Sequence, residues 1–112
     1  MSRFRTPLAA LPCRISRSAF PDERVFQVRT ADGKEHAGSG PAYYFWNAEN
    51  HPLHAGVPES DREIRGFVAT QILKIDAARA LVEVPDGTVA WVFEKDLVAR
   101  PTEIEIDVPV RS

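Results

Sequence analysis

Three histidines, His36, His51 and His54, lie close together and are the most evident side chains for chemistry in this 112-residue sequence. The stretch HPLH sets two of them three residues apart, and imidazoles at that spacing can share a metal ion if further ligands are held beside them. No recognised ligand spacing accompanies them, and Pro52 prevents a regular helix through the pair. We therefore expect solvent-exposed loop histidines and no bound metal.

A nucleophilic site would need a serine or cysteine beside a histidine and an acid. Ser39 follows His36 by three residues in the stretch GSGP, but it lacks the strand-turn-helix elbow that exposes a reactive serine. The same stretch is too short for a phosphate loop. Cys13 is the only cysteine, which excludes an internal disulfide and a zinc site made from cysteine pairs. We expect no enzyme activity and no cofactor.

The aromatic run YYFW at residues 43–46 is the strongest signal for binding. Tyrosine and tryptophan dominate the hot spots of protein interfaces and can stack on nucleobases. If the run is a strand, neighbours point to opposite faces, so Tyr44 and Trp46 share one side and can anchor a ligand. We predict a binding site at Tyr43, Tyr44 and Trp46, although packing between two halves of the chain could instead bury both faces.

The composition, 44% apolar and 27% charged, is that of an ordinary globular domain. No apolar run approaches the roughly 20 residues of a membrane-spanning helix, and the opening stretch MSRFRTPLAALPC is too short and proline-broken for a signal peptide. We expect a cytoplasmic protein without a membrane partner.

Charge is distributed unevenly along the chain. Residues 1–54 carry seven basic and five acidic side chains, whereas residues 55–112 carry seven and eleven. The opening segment holds four arginines and no acid, and such a segment can contact phosphate. We place two of them, Arg14 and Arg17, beside the aromatic site on a preceding strand. The chain as a whole lacks the basic excess that is typical of nucleic-acid binders.

Two segments of the chain follow the same sequence pattern, as an internal repeat would. Residues 13–33 and 67–87 run in step without a gap at an offset of 54, and both segments end in Asp-Gly after alternating apolar residues. That pattern predicts tight two-residue hairpin turns at Asp32-Gly33 and Asp86-Gly87. The strands before the two turns alternate with the same parity, which predicts matched inward faces and a duplication.

The second copy continues as a strand over residues 88–93, then the single turn EKD, then LVARP. This order, and VFEKDLV in particular, resembles the end of an SH3-like small barrel, in which a hairpin leads through a 3-10 turn into a short closing strand. Applying the offset places the aromatic run on the 3-10 turn and closing strand of the first copy. The resemblance implies an all-β protein of two SH3-like half-units packed together, with short 3-10 turns.

The boundaries follow from these patterns. We predict an N-terminal arm at residues 1–12, a first unit at 13–50, a linker at 51–63, a second unit at 64–101 and a C-terminal tail strand at 102–112. Each unit is near the length below which chains seldom fold alone, so we expect the two to share a core. The tail alternates apolar and acidic residues, which predicts a half-buried strand that covers the first unit's sheet or pairs with another copy in a homo-oligomer.

Together these features predict a non-catalytic binding or assembly module that contacts a protein partner. The alternative is a nucleic-acid-contacting protein, in which the same aromatics stack on bases and the basic N-terminal arm contacts phosphates.

Overall fold

The computed structural model describes residues 8–53 and 62–98. Within these ranges the chain is all-β, which confirms the predicted fold class. Its strands are β1 (Leu8–Arg17), β2 (Glu23–Arg29), β3 (Glu35–Pro41), β4 (Phe45–Asn47), β5 (Ile64–Asp76), β6 (Arg79–Glu83) and β7 (Val89–Phe93). A first 3-10 turn (Ala42–Tyr44) precedes β4, and a second (Glu94–Asp96) follows β7. No helix in the described ranges is long and apolar enough to cross a membrane.

The strands form one curled antiparallel sheet that closes halfway into a barrel. Its order is β3-β2-β1-β5-β6-β7, and β4 pairs with the first part of β5. The long strands β1 and β5 lie side by side at the centre, in a register that runs from Leu8 opposite Gln71 to Ile15 opposite Ile64. The middle of the sheet is therefore built by both halves of the chain.

The two hairpins form where the Asp-Gly pairs predict them, but their loops have three residues instead of two. Thr30 donates its N–H to the Lys34 carbonyl, and Val84 donates to the Thr88 carbonyl, so residues 31–33 and 85–87 form the loops. Only the glycine of each pair has a positive φ, 85° at Gly33 and 90° at Gly87. This is the geometry of a type I turn followed by a left-handed glycine.

The aspartates cause that difference. A two-residue type I′ turn needs positive φ at both of its central residues. Here Asp32 and Asp86 instead accept the backbone N–H two residues ahead, at 3.2 Å from Lys34 and 3.0 Å from Thr88. Such a local side-chain bond stabilises an ordinary turn conformation, and the glycine alone then takes the left-handed position.

A single main core lies on the inner face of the sheet and draws on both halves, as the short length of each half predicted. Its buried members come from nearly every strand: Leu11, Cys13, Ile15, Phe26, Val28, Phe45, Val68, Ala80, Val82, Val84 and Val92. The predicted inward faces of the two hairpin strands are confirmed by the buried residues Phe26 and Val28 in the first and Ala80, Val82 and Val84 in the second. The halves are thus joined by packing as well as by strand pairing.

The turn between β6 and β7 lies on β3 and brings the two edges of the curled sheet together. His36 Nε2 is 2.8 Å from Asp86 Oδ2 across this contact. Glycines make the approach possible, since a Cβ at Gly38 would lie 2.2 Å from that carboxylate and one at Gly40 would lie 2.8 Å from Pro85 Cβ. The loop between β2 and β3 also contacts β7, where the Ala31 N–H donates to the Trp91 carbonyl at 2.8 Å.

Asp86 makes the stability of this closure depend on pH. Its partial burial raises the pKa of the carboxyl, but the hydrogen bonds from the Thr88 N–H and from His36 outweigh burial, so the net pKa is lowered. A folded-state pKa below the unfolded value of about 3.9 contributes stability above that pH, and the contribution is lost as pH falls through the folded-state pKa. Asp86→Asn should therefore lower the free energy of unfolding at pH 7 by about 1 kcal/mol after solvent screening.

Urea unfolding of both proteins at pH 7 and near pH 2.5 checks this expectation. The difference between the two proteins should shrink as the pH falls, because the Asp86 carboxyl loses its charge as the pH passes through its lowered folded-state pKa. A difference that grows on acidification would contradict the assigned role of the carboxylate.

Each 3-10 turn leads into a segment that pairs with the first strand of the other half. After the first turn, β4 pairs with β5, so that Phe45 lies opposite Val68 and Trp46 opposite Phe67. After the second turn, Val98 exchanges two 2.9 Å backbone hydrogen bonds with Ala10 of β1. The predicted tail strand at residues 102–112 lies outside the described residues, and self-association through it stays a prediction.

Candidate functional site

The aromatic residues chosen from the sequence do not form one surface. Tyr43 lies on the first 3-10 turn and is 65% exposed, and its ring centroid is 4.7 Å from that of the half-buried Tyr44. Trp46 in β4 is only 1% exposed. The prediction that Trp46 is an exposed ligand anchor is therefore wrong, and the alternative that packing covers both faces of this segment holds for Phe45 and Trp46.

Strand pairing explains why Trp46 is covered. Because β4 lies beside β5, Phe45 points into the main core while Trp46 points to the opposite face of the sheet. There it packs with Ala10 and Ala69 in a second cluster, flanked by Tyr44 and Phe67. The small side chains of β1 and β5 leave room for the indole, which forms a cover on the outer side of the sheet.

The two predicted arginines lie on one strand but point to opposite faces. Arg14 is on the outer face of β1, away from the main core, whereas Arg17, three residues on, has the opposite parity. Arg14 Nη2 donates to Glu35 Oε1 at 3.0 Å. Arg17 lies opposite Arg24 at the end of the β1–β2 pairing and has interactions of its own. Only Arg14 belongs to the surface described next.

That surface is a groove of about 550 Å³ on the outer face of β1, β2 and β5, which we call the outer groove. Strand register brings its side chains together, since Arg14 lies opposite Gln27 of β2 and opposite Arg65 of β5. Its lining includes Pro12, Arg14, Gln27, Arg29, Arg65 and Phe67, together with Glu35 from β3. The groove therefore lies where the two halves of the chain meet.

Positive charge dominates the outer groove. The Glu35 carboxylate lies 3.0 Å from Arg14 Nη2 and 3.7 Å from Arg29 Nη2. Exposed ion pairs of this kind contribute little to stability, and like charges directly opposite on neighbouring strands are destabilising. Two of the three guanidinium groups in the groove thus share one carboxylate, and within the described ranges the third, Arg65, makes no ion pair.

An apolar wall runs beside these charges. Pro12 lies opposite Phe67 in the β1–β5 register, and Phe67 is half-buried against the Trp46 cluster. Gly66 permits the close seating of β4, because a Cβ there would lie 2.2 Å from the Trp46 carbonyl oxygen. The floor of the groove is consequently a fixed sheet surface with charged and apolar portions side by side.

The histidines and the cysteine that could do chemistry do not form a site within the described residues. His36 is paired with Asp86, His51 is exposed, and His54 lies outside the described residues. Among the residues that the structure describes, no three histidine, cysteine or acidic side chains are grouped to hold a metal ion. Burial raises the pKa of the Cys13 thiol to about 12, which keeps it protonated and unreactive near neutral pH.

Comparison with known protein families, curated proteins and solved structures finds no match for the chain. Function must therefore be inferred from the molecule's own surfaces. Chemically, guanidinium groups beside an apolar wall can hold an oxyanion through charge-assisted hydrogen bonds while an adjacent apolar group packs.

Sequence reasoning singled out Arg14 but missed Arg29, Arg65 and Phe67. The inward parity of Phe26 and Val28 was a usable signal, because it sends Gln27 and Arg29 to the outer face. No comparable signal exists for Arg65, whose place depends on β5 lying beside β1.

Proposed function

We propose that this protein is a non-catalytic binding module that docks a protein partner in the outer groove. The observation that carries the proposal is the combination of three exposed guanidinium groups with the Pro12–Phe67 wall on a rigid sheet. Arginine and aromatic side chains are the residue types that most often dominate protein interfaces. A site on strands, supported by packing from Trp46, also holds its geometry better than one on loops.

We also infer that the chain consists of two SH3-like half-units related by duplication. Each has three antiparallel strands, a hairpin with the same glycine geometry, and a 3-10 turn before its closing segment. In this account the closing segments are exchanged, with β4 on the other unit's β5 and Val98 on the other unit's β1. In the same arrangement β1 of the first unit lies beside β5 of the second. Both units therefore contribute residues to the outer groove.

Two features favour a protein over a nucleic acid as the partner. The net charge of the chain is −2, whereas binding to an extended polyphosphate depends on a large basic surface. In addition, the aromatic side chain of the groove, Phe67, packs against the Trp46 cluster instead of standing free as a stacking platform. An oligonucleotide is therefore the competing ligand against which the proposal is tested.

Site-specific photo-crosslinking in native cells tests the proposal. A benzophenone amino acid at Gln27, a partly exposed groove residue, should yield an adduct with one predominant protein, identified by mass spectrometry. The same group at Val89, an exposed residue on β7 outside the groove, should not. The adduct should form again when the two purified proteins are mixed.

Two outcomes would count against the proposal. Equal yields at Gln27 and Val89 would indicate collision rather than docking. Adducts at Gln27 that are sensitive to nuclease, with no protein component, would identify the nucleic-acid alternative instead.

A further inference from the structure

We propose that the outer groove recognises a carboxylate of an acidic peptide segment, held between Arg14 and Arg65, and that Glu35 occupies part of this site in the free protein. The inference rests on the proposed function, because it names the chemistry of the partner that docks there. It concerns a defined subsite with four charged members: Arg14, Arg29, Arg65 and Glu35.

Arg14 and Arg65 are direct cross-strand neighbours in the β1–β5 pairing. Directly opposite residues on one face have Cβ atoms about 5 Å apart, so two guanidinium groups at such positions repel one another. A carboxylate between them would remove the repulsion and accept hydrogen bonds from both planar forks. The geometry is thus more favourable with an anion bound than without one.

Glu35 shows that a carboxylate fits this part of the groove. Its two oxygens approach different arginines, Oε1 at 3.0 Å from Arg14 Nη2 and Oε2 at 3.7 Å from Arg29 Nη2. Its side chain is 44% exposed, so water can replace these contacts at small cost. A ligand carboxylate can therefore displace Glu35 from Arg14, while Arg29 retains it.

Arg65 is the member that Glu35 does not neutralise. Within the described part of the chain it forms no ion pair, and its side chain stands exposed on the groove. A guanidinium with no ion-pair partner among the described residues, beside a partly occupied one, is the arrangement expected of a site that an incoming anion completes. Arg65 should therefore contribute to affinity and not to the stability of the free protein.

The surroundings favour an acidic peptide over a phosphate chain. A phosphate chain depends on a large basic surface, whereas the positive charge of the groove is confined to three arginines with Glu35 among them. A peptide instead places one carboxylate at the arginines and a neighbouring apolar side chain against Pro12 and Phe67. The adjacency of charge and apolar wall thus fits an acidic segment that contains an aliphatic residue.

Fluorescence anisotropy with the full chain tests this inference. The probe is a fluorescein-labelled EELEE peptide, with QQLQQ and a ten-nucleotide oligothymidylate as comparison ligands. EELEE should bind with an affinity that weakens as salt is added, and QQLQQ should bind at least about tenfold more weakly, which corresponds to the loss of charge-assisted hydrogen bonds.

Variants assign the effect to the subsite. Arg65→Gln should weaken EELEE binding about tenfold, because one charge-assisted contact is lost. It should not lower the thermal unfolding midpoint, because it also removes the repulsion with Arg14. Lys74→Gln, at the far end of the same strand and face, removes the same charge and should leave binding unchanged. Glu35→Gln should tighten binding, because it removes the internal competitor.

The inference is overturned if EELEE and QQLQQ bind alike, if Arg65→Gln and Lys74→Gln have equal effects, or if the oligothymidylate binds more tightly than EELEE. A protein adduct at Gln27 together with any of the first two results would leave the proposed function standing while removing the acidic peptide from it. If there is no protein adduct at Gln27 and no selective binding of EELEE, both proposals are overturned.

Discussion

Trp46→Ala is expected to lower the free energy of unfolding by about 3–5 kcal/mol, the range for removing a large buried aromatic side chain. Trp46 is 1% exposed and covers Ala10 and Ala69, which are too small to fill the space that the indole would leave. Within the described residues its indole N–H has no hydrogen-bond partner, so the loss is one of packing. Urea unfolding followed by circular dichroism measures it.

Tyr43→Ala is the matched control, since Tyr43 is three residues away and 65% exposed. It should change the free energy of unfolding by no more than about 0.5 kcal/mol, as surface substitutions usually do. If Trp46→Ala proved as mild as this control and yet abolished the protein adduct at Gln27, Trp46 would be a binding residue and its assigned packing role would be wrong.

Separating the two halves should have the largest effect of all. Fragments 1–58 and 59–112 are each expected to show no cooperative unfolding transition, whereas their co-expression should restore one. The first fragment would leave β4 without β5, and the second would leave Val98 without Ala10. Each would also hold only part of the shared core, and chains of this length are marginal even with a complete one.

Circular dichroism melts and amide proton dispersion of each fragment, alone and combined, provide the measurement. An intact chain in which residues 54–61 are replaced by a glycine-serine linker of equal length serves as the control and should unfold cooperatively. Cooperative unfolding of either fragment by itself would contradict the account of a shared core and exchanged closing segments.

The local features of this fold could be predicted from the sequence. Asp-Gly between alternating apolar residues located both hairpins, and the order of strand, EKD and closing segment located the second 3-10 turn. The offset of 54 holds at the hairpin glycines, but it maps the second 3-10 turn onto residues 40–42, whereas the first 3-10 turn is Ala42–Tyr44. The aromatic run therefore lies on that turn and on β4, as predicted, only after a shift of two residues. Each of these depends on residues close together in the chain, where turn chemistry and side-chain parity act.

Pairing across the molecule could not be predicted in the same way. Strand alternation gives the faces of β4 but does not say that β5 lies beside it, and that neighbour decides whether Trp46 is exposed. Likewise Arg14 and Arg65 are 51 positions apart in sequence, and only the β1–β5 register makes them neighbours. The aromatic site was therefore overestimated and the outer groove missed for one reason, the long-range placement of β5.

The most direct test of the central claim, that a protein docks in the outer groove, is the yield of photo-crosslinked protein adduct at three positions. Gln27 lies in the groove, Tyr43 on the exposed 3-10 turn, and Val89 on β7. The account predicts the highest yield at Gln27, with Arg65→Gln lowering it and Lys74→Gln leaving it unchanged. A highest yield at Tyr43, insensitive to Arg65→Gln, would contradict the account and place docking on the aromatic turn.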